Sequence, residues 1–359
     1  MPRDSVRPDL YARVTDAIVA DLEAGVRPWT KPWTCNGRSG PVSRPLRVGG
    51  QPYSGVNVLL LWSEALAQGF TAPTWMTFRQ AQALGAQVRR GAHGATVVYA
   101  NRIRRVEDRG DGREVERSIP FLKAYTVFNV AQIDGLPAAY LGEASTAPSA
   151  ERRIERAHDF FASTGARVRY GGGEAYYAPG PDHIQMPSEE SFPDIVDFYA
   201  TRAHESVHWT RHPTRLNRDF GRKRWGDEGY AREELVAELG AAFLCADLGL
   251  DLRPRRDHAD YIGDWLKVLK NDKRLVFQAA AFAQKACDCL HGLQPDVVND
   301  EGDFTWGPEQ ADQAWAGLSA NEQLEILQDY DELDAQGRLG DAPFYRQWIT
   351  RRMKGYAGD

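Results

Sequence analysis

Positions 204–208 read His-Glu-Ser-Val-His, two imidazoles four residues apart with a carboxylate beside the first. Four residues is about one helical turn. On a helix both rings therefore share a face and can bind one ion, with Glu205 next to them. Two neutral histidines and a third ligand leave a tetrahedral zinc one open position, which water fills. The ion lowers the pKa of that water towards ~7, and a neighbouring carboxylate can accept its proton as attack on a carbonyl begins. The implied chemistry is metal-assisted hydrolysis. A five-residue pattern with three fixed positions also arises by chance, so the surroundings have to decide.

Those surroundings supply a third ligand. The motif sits in an amphipathic stretch, residues 194–211, that the spacing predicts to be a helix. A second helix is expected over 231–248 and contains Glu233-Glu234-Leu235-Val236-Ala237-Glu238. Glu234 and Glu238 are one turn apart, so either can reach the ion, while Glu233 points elsewhere. The apolar run around them leaves little of this helix polar, so Glu238 reads as semi-buried. Tyr176, Tyr177 and Tyr230 are candidate donors to a developing oxyanion. Residues 182–187 read either as an edge strand along which an extended peptide can pair or as an ordinary hairpin strand. His183 and His212 read as surface residues, and Asn217 and Arg218 as the groups that fix the loop between the two ligand helices.

The elements that must position these groups follow from periodicity and punctuation. A helix is expected over 9–24, stopped at Gly25, then a long Pro-, Gly-, Arg- and Trp-rich loop. Further helices are expected at 56–67 and from Trp75 to Leu84. Strand signals cover Ala95–Ala100 and Ala124–Asn129, with Arg102–Arg117 as a charged excursion between them. Residues 141–149 are small, polar and Pro-bearing, which marks a linker between a first domain, 1–140, and a second, 150–293. The second domain opens with a helix, 151–163, and short strands at 166–170, 175–178 and 183–186. It closes with helices at 257–269 and 273–290. Residues 294–359 form an acidic extension that turns helical over 310–334.

With 42% apolar and 26% charged residues, the chain has globular rather than disordered composition. The net charge of −6 conceals an asymmetry. Residues 1–140 carry about +6, the remainder about −12, and about −9 of that lies beyond Pro295. A basic first half suits a polyanion. Its aromatic residues Trp29, Trp33 and Tyr53 alternate with Lys31, Arg38, Arg44, Arg47, Arg89 and Arg90. That interleaving stacks rings on unpaired bases while cations follow the phosphates of single-stranded DNA. Trp29 and Trp33, in the proline-rich loop, are the stacking candidates; Trp62 and Trp75 read as core. None of the four cysteines forms a CxxC pair, and Cys245 and Cys287 lie in apolar helical patterns, as buried reduced thiols do. No signal core or membrane-length apolar run is present, so the expectation is a soluble, cytoplasmic protein.

From about Leu10 to Gly292 the chain resembles the ArdC antirestriction family of conjugative plasmids. The resemblance is carried by Pro28-Trp29-x-Lys31-Pro32-Trp33, Tyr53-Ser54-Gly55-Val56-Asn57, Trp75-Met76-Thr77-Phe78 and Val127-Phe128-Asn129-x-x-Gln132. In the second half it is carried by Asp182-His183-Ile184-x-Met186-Pro187, His204-Glu205-x-x-His208-Trp209-Thr210, Arg215-Leu216-x-Arg218 and the run from Glu233 to Glu238. It implies an α+β protein of two domains, an N-terminal mixed α/β single-stranded-DNA-binding domain and a C-terminal zincin-like metallopeptidase domain. It also implies protection of incoming mobile-element DNA from host restriction, with a protein substrate that the sequence does not name. Related zincins take the glutamate of an ExxA pattern as third ligand, which maps to Glu234 through Ala237 and leaves Glu238 in support. The expected cofactor is one zinc ion, replaceable by manganese or another divalent metal. A DNA-coating protein with a structural zinc, and a DNA-dependent repair peptidase, are the competing readings.

Overall fold

The computed structural model describes residues 9–27, 29, 43–108, 114–137, 140, 149–221, 228–250 and 261–295. The chain divides into two compact units, Met1–Val98 with Ala124–Pro295, and Tyr99–Lys123 with Asp296–Asp359. The expected linker at 141–149 and the helix at 310–334 fall almost wholly outside the described residues.

Helix α1 spans Leu10–Glu23, capped by the Asp9 carboxylate, and buries Val14, Ile18, Val19 and Leu22 along one stripe. Gly25, at φ +75°, ends it in a conformation that costs glycine nothing. Helix α2 covers Val56–Gln68. The helix expected from Trp75 is instead a short strand followed by a short helix: β1, Trp75–Thr77, then α3, Phe78–Ala83. Thr77 and Gln80 form a reciprocal capping box that starts α3 only after Thr77, and Trp75 and Met76 are claimed by antiparallel pairing with Asn129 and Phe128. After β2, Gln87–Val88, come two long neighbouring strands, β3, Ala95–Asp108, and β4, Glu114–Asn129. The charged excursion expected between them is therefore strand as far as Asp108 and again from Glu114. Pairing of backbone groups sustains such strands even where one face meets water. A two-residue strand, β5, Ile133–Asp134, pairs with β2.

The second half follows the expected order. Helix α4, Ala150–Ser163, is capped by Ser149. Strands β6, Val168–Tyr170, β7, Tyr176–Ala178, and β8, His183–Met186, form one sheet in the order β6-β8-β7. β8 is parallel to β6 and antiparallel to β7. The segment read as an edge or hairpin strand is thus the centre of its sheet, with both backbone edges occupied. Among the described residues four helices follow: α5, Ile195–Trp209; α6, Glu228–Leu248; α7, Tyr261–Asn271; and α8, Leu275–His291. Among the described residues no helix is long and apolar enough to cross a membrane.

Helix α6 is buried on nearly every face, as the central member of a helical layer must be. It packs against α5, α7 and α8. Gly240 sets the distance to α5: a Cβ there would lie 2.7 Å from Val207 Cγ2 and 3.0 Å from Cγ1. Both methyls belong to a fully buried, β-branched side chain that cannot rotate clear. Gly240→Ala gains up to ~1 kcal/mol of helix propensity but loses ~1–3 kcal/mol to overpacking. We expect a lowered melting temperature, partly restored by adding Val207→Ala. A thermal melt of the three proteins checks this.

Candidate metal centre

The first wall of the site is α5. Asp194 caps it by accepting from the Val196 N–H at 2.9 Å. From Phe198 to Trp209 every residue is buried, because β7 and β8 lie against the helix and α6 packs beside it. The one-turn spacing sets the His204 and His208 rings nearly perpendicular, with centroids 4.8 Å apart and Nε2 atoms separated by 3.2 Å. Glu205 is buried on the same turn.

The second wall is α6, which delivers Glu234. Its Oε2 lies 3.4 Å from His204 Nε2 and its Oε1 3.6 Å from His208 Nε2. An ion bonded at ~2.0–2.1 Å to tetrahedral ligands holds them roughly 3.4 Å apart. The spacing of these three groups therefore fits a single divalent cation, and the histidine–carboxylate donor set suits zinc or a similar metal. Glu238 is placed differently. Its Oε2 stands 4.0 Å from His204 Nδ1, the nitrogen that faces away from the cluster, and its Oε1 accepts from the Trp29 indole N–H at 3.2 Å.

Glu233, which spacing alone directs away from the ion, has a defined task. Its Oε1 meets His208 Nδ1 at 3.0 Å. Arg218 grips the same carboxylate with two bonds of 2.9 and 2.8 Å. Arg218 also donates to Thr210 Oγ1 and to the Val207 carbonyl, so it ties the inter-helix loop to the end of α5. Arg218 and Glu233 are both buried, where a charge survives only if paired and hydrogen-bonded. Asn217 shapes the same loop with a left-handed backbone, φ +45°.

The electrostatics follow from this crowding. Burial alone would depress His208, but Glu234 and Glu233 beside it raise it to about 10. Burial would raise Glu233, yet hydrogen bonds from Arg218 and His208 hold it at about 2. Glu234 is likewise held well below the ordinary carboxylate range by the two histidines, against the effect of burial. Without a metal, a proton shared with His208 supplies the positive charge that the two carboxylates require.

The other candidates scatter. Tyr177 donates its hydroxyl to Asp182 at 2.8 Å within the Arg215–Asp182 ion pair, so it is committed away from an oxyanion. Tyr176 is exposed on β7, and Tyr230 is buried one turn before Glu234. His183 is buried rather than superficial, because β8 is central; His212 lies at intermediate depth, with Nδ1 against Thr214. Among the DNA candidates, Trp29, Arg44 and Tyr53 are core residues. Arg44 pairs with Asp247 at 3.0 Å, bonds Gln284 and lies over the Phe243 ring. Arg47 covers Tyr53 at 5.0 Å. Arg89 and Arg90 are exposed, the former paired with Asp134. Lys31, Trp33 and Arg38 lie outside the described residues. Trp62 and Trp75 are buried, as the sequence suggested, and so are the free thiols of Cys245 and Cys287.

Residues 8–128 match the family described as the N-terminal domain of anti-restriction factor ArdC, and residues 155–282 match a zincin-like metallopeptidase family. The two matches in tandem, over mixed helices and sheets, give a two-domain α+β architecture. An uncharacterized protein y4eC of Sinorhizobium fredii is 42% identical over 298 residues, covering 82% of this chain and 95% of its own. DNA primase TraC of Escherichia coli is 36% identical over 311 residues, 82% of this chain but only 28% of the primase. The metal-free crystal structure of the antirestriction ArdC protein from plasmid R388 superimposes with a TM-score of 0.67 at 46% identity, covering 80% of this chain and 98% of that one. Its Mn(II)-bound structure gives 0.66 at 43% identity, covering 80% and 99%.

A cation entering this site must displace the proton on His208. Its pKa is raised from 6.5 to about 10. In the metal-free protein its stabilising contribution is therefore full below pH 6.5 and lost as pH rises towards 10. Zinc uptake should release about one proton, and apparent affinity should rise with pH across the neutral range. Titration calorimetry in buffers of differing ionisation enthalpy measures the release. Affinity independent of pH would contradict the charge assignment.

Proposed function

The chain belongs to the ArdC antirestriction family, and on that premise we propose that it binds single-stranded DNA and hydrolyses peptide bonds at a zinc centre, protecting incoming mobile-element DNA from host restriction. The observation that carries the reading is the convergence of His204, His208 and Glu234 on one point, with Glu205 on the same turn of α5. These three residues would hold the ion. When bound, zinc or manganese supplies Lewis acidity to a carbonyl and to the water that attacks it.

The chain's own groups do the rest. Glu205 accepts the proton of the attacking water and passes it to the departing amine nitrogen. Glu233 holds the His208 ring in place, and Arg218 holds Glu233, so the ligand keeps one orientation. Tyr230, on the ligand face of α6, is the tyrosine we retain as donor to the developing oxyanion. The substrate is a polypeptide, a restriction or DNA-bound protein by the logic of the family.

Support for the DNA half comes from its charge, from exposed Arg89 and Arg90, and from the exposed rings of Phe78 and Tyr125. The match to part of a DNA primase points the same way. One observation favours a second reading, a DNA-coating protein with a vestigial site. Protonated His208 and Arg218 together balance Glu233 and Glu234, so the fold tolerates an idle centre.

Substituting Glu205→Gln separates the two. The enzyme reading predicts loss of casein cleavage by about 10²–10⁴-fold, with zinc content unchanged by elemental analysis. Equal behaviour of variant and parent supports the coating reading. For DNA, Trp33→Ala should weaken binding of a labelled oligo(dT) by about 1–3 kcal/mol, read by fluorescence anisotropy at fixed salt.

A further inference from the structure

The geometry points to Trp29 as a positioning residue of the metal centre, acting through Glu238 on His204; the inference rests on the metallopeptidase reading above. Trp29 is 2% exposed, and its indole packs edge-on against Trp265 with centroids 6.1 Å apart. An indole N–H is a donor only, and when buried it needs an acceptor. It finds one in Glu238, 209 residues later in the chain, at 3.2 Å. The other oxygen of that carboxylate is the one turned towards His204 Nδ1, at 4.0 Å.

Both imidazoles face a glutamate through Nδ1, but at different range. His208 Nδ1 is hydrogen-bonded at 3.0 Å, whereas His204 Nδ1 has its glutamate oxygen at 4.0 Å, an ion-pair distance and not a hydrogen bond. Each turns Nε2 to the cluster and Nδ1 to a glutamate: His208 to Glu233, His204 to Glu238. Each glutamate is in turn gripped by a buried donor. Arg218 grips Glu233 from the loop after α5, within the zincin-like half. Trp29 grips Glu238 from the stretch that follows α1, within the ArdC N-terminal half. A carboxylate held by one oxygen cannot rotate freely, so its second oxygen stays aimed at the ligand imidazole. Such outer partners set ring orientation and ligand basicity, and their loss typically weakens metal binding ~10–100-fold.

A second tie strengthens the case. Arg44, from the same early segment, binds Asp247 on α6, nine residues beyond Glu238. Helix α6 is therefore fastened to the early segment at two places about 13 Å apart along its axis. The metal centre is assembled by both halves of the chain, and the first half contributes more than a DNA surface.

The test uses the full chain with Trp29→Phe, Glu238→Ala and the double substitution, each reading zinc affinity by competition with a chromophoric chelator. Phenylalanine keeps a ring against Trp265 and removes only the donor. We expect Glu238→Ala to weaken affinity ~10–100-fold and Trp29→Phe by about tenfold, the lower end of that range. The double variant should be no weaker than Glu238→Ala, because one pathway is broken twice. A Trp29→Phe protein with parental affinity, or a double variant showing the product of both losses, overturns the relay alone. A parent that takes up no zinc overturns the metal reading and the relay with it. If Trp29→Phe fails to fold, tryptophan emission decides. Zinc should shift the emission of the parent and shift it less in Glu238→Ala; an equal shift in both would overturn the relay.

Discussion

Two imidazole nitrogens and a carboxylate, all largely buried, lie 3.2–3.6 Å apart, and such a group must share a positive charge. A proton on His208 meets the requirement in one state and a divalent cation in the other. Much of the second half follows from that constraint. Bringing Glu234 so close to α5 needs the two helices in near contact, and Gly240 against Val207 permits it. Keeping three glutamates buried on α6 needs a donor for each: the histidines for Glu234, Arg218 for Glu233, Trp29 for Glu238.

The same constraint explains why α6 is the centre of the fold and not one of its faces. A helix carrying this many acids would ordinarily turn them to water. Here its apolar residues are committed to α5, α7 and α8, and its buried acids each meet a charged or hydrogen-bonding partner from a neighbouring element. Burial then makes the charges matter, because a low-dielectric setting strengthens each pairing and penalises each unpaired group. Stability and chemistry are drawn from the same contacts.

How much of this could be read in the sequence depended on how local the cause was. The helix bearing His204 and His208 was legible, since a one-turn spacing and apolar periodicity are properties of a short window. Helices α1, α2, α5, α6 and α8 were found within a few residues for the same reason. Spacing could not separate Glu234 from Glu238, which share a face, and only the family resemblance preferred one. Glu233 was passed over because its partner, Arg218, comes from a loop. Trp29 was misread because a proline-rich stretch suggests exposure, whereas its acceptor lies 209 residues away. Arg44 and Tyr53 failed in the same manner. An edge position for β8 stayed open in the sequence because sheet order depends on the parallel neighbour β6, which no local pattern announces.

One cation held by His204, His208 and Glu234 is the centre on which the proposed chemistry depends. The most direct measurement is a crystal structure of zinc-soaked protein with anomalous data collected on both sides of the zinc absorption edge. A single strong anomalous peak is expected ~2.0–2.2 Å from both Nε2 atoms and from a Glu234 oxygen. A peak bonded to Glu238 in place of Glu234, or none between the two imidazoles, would contradict it.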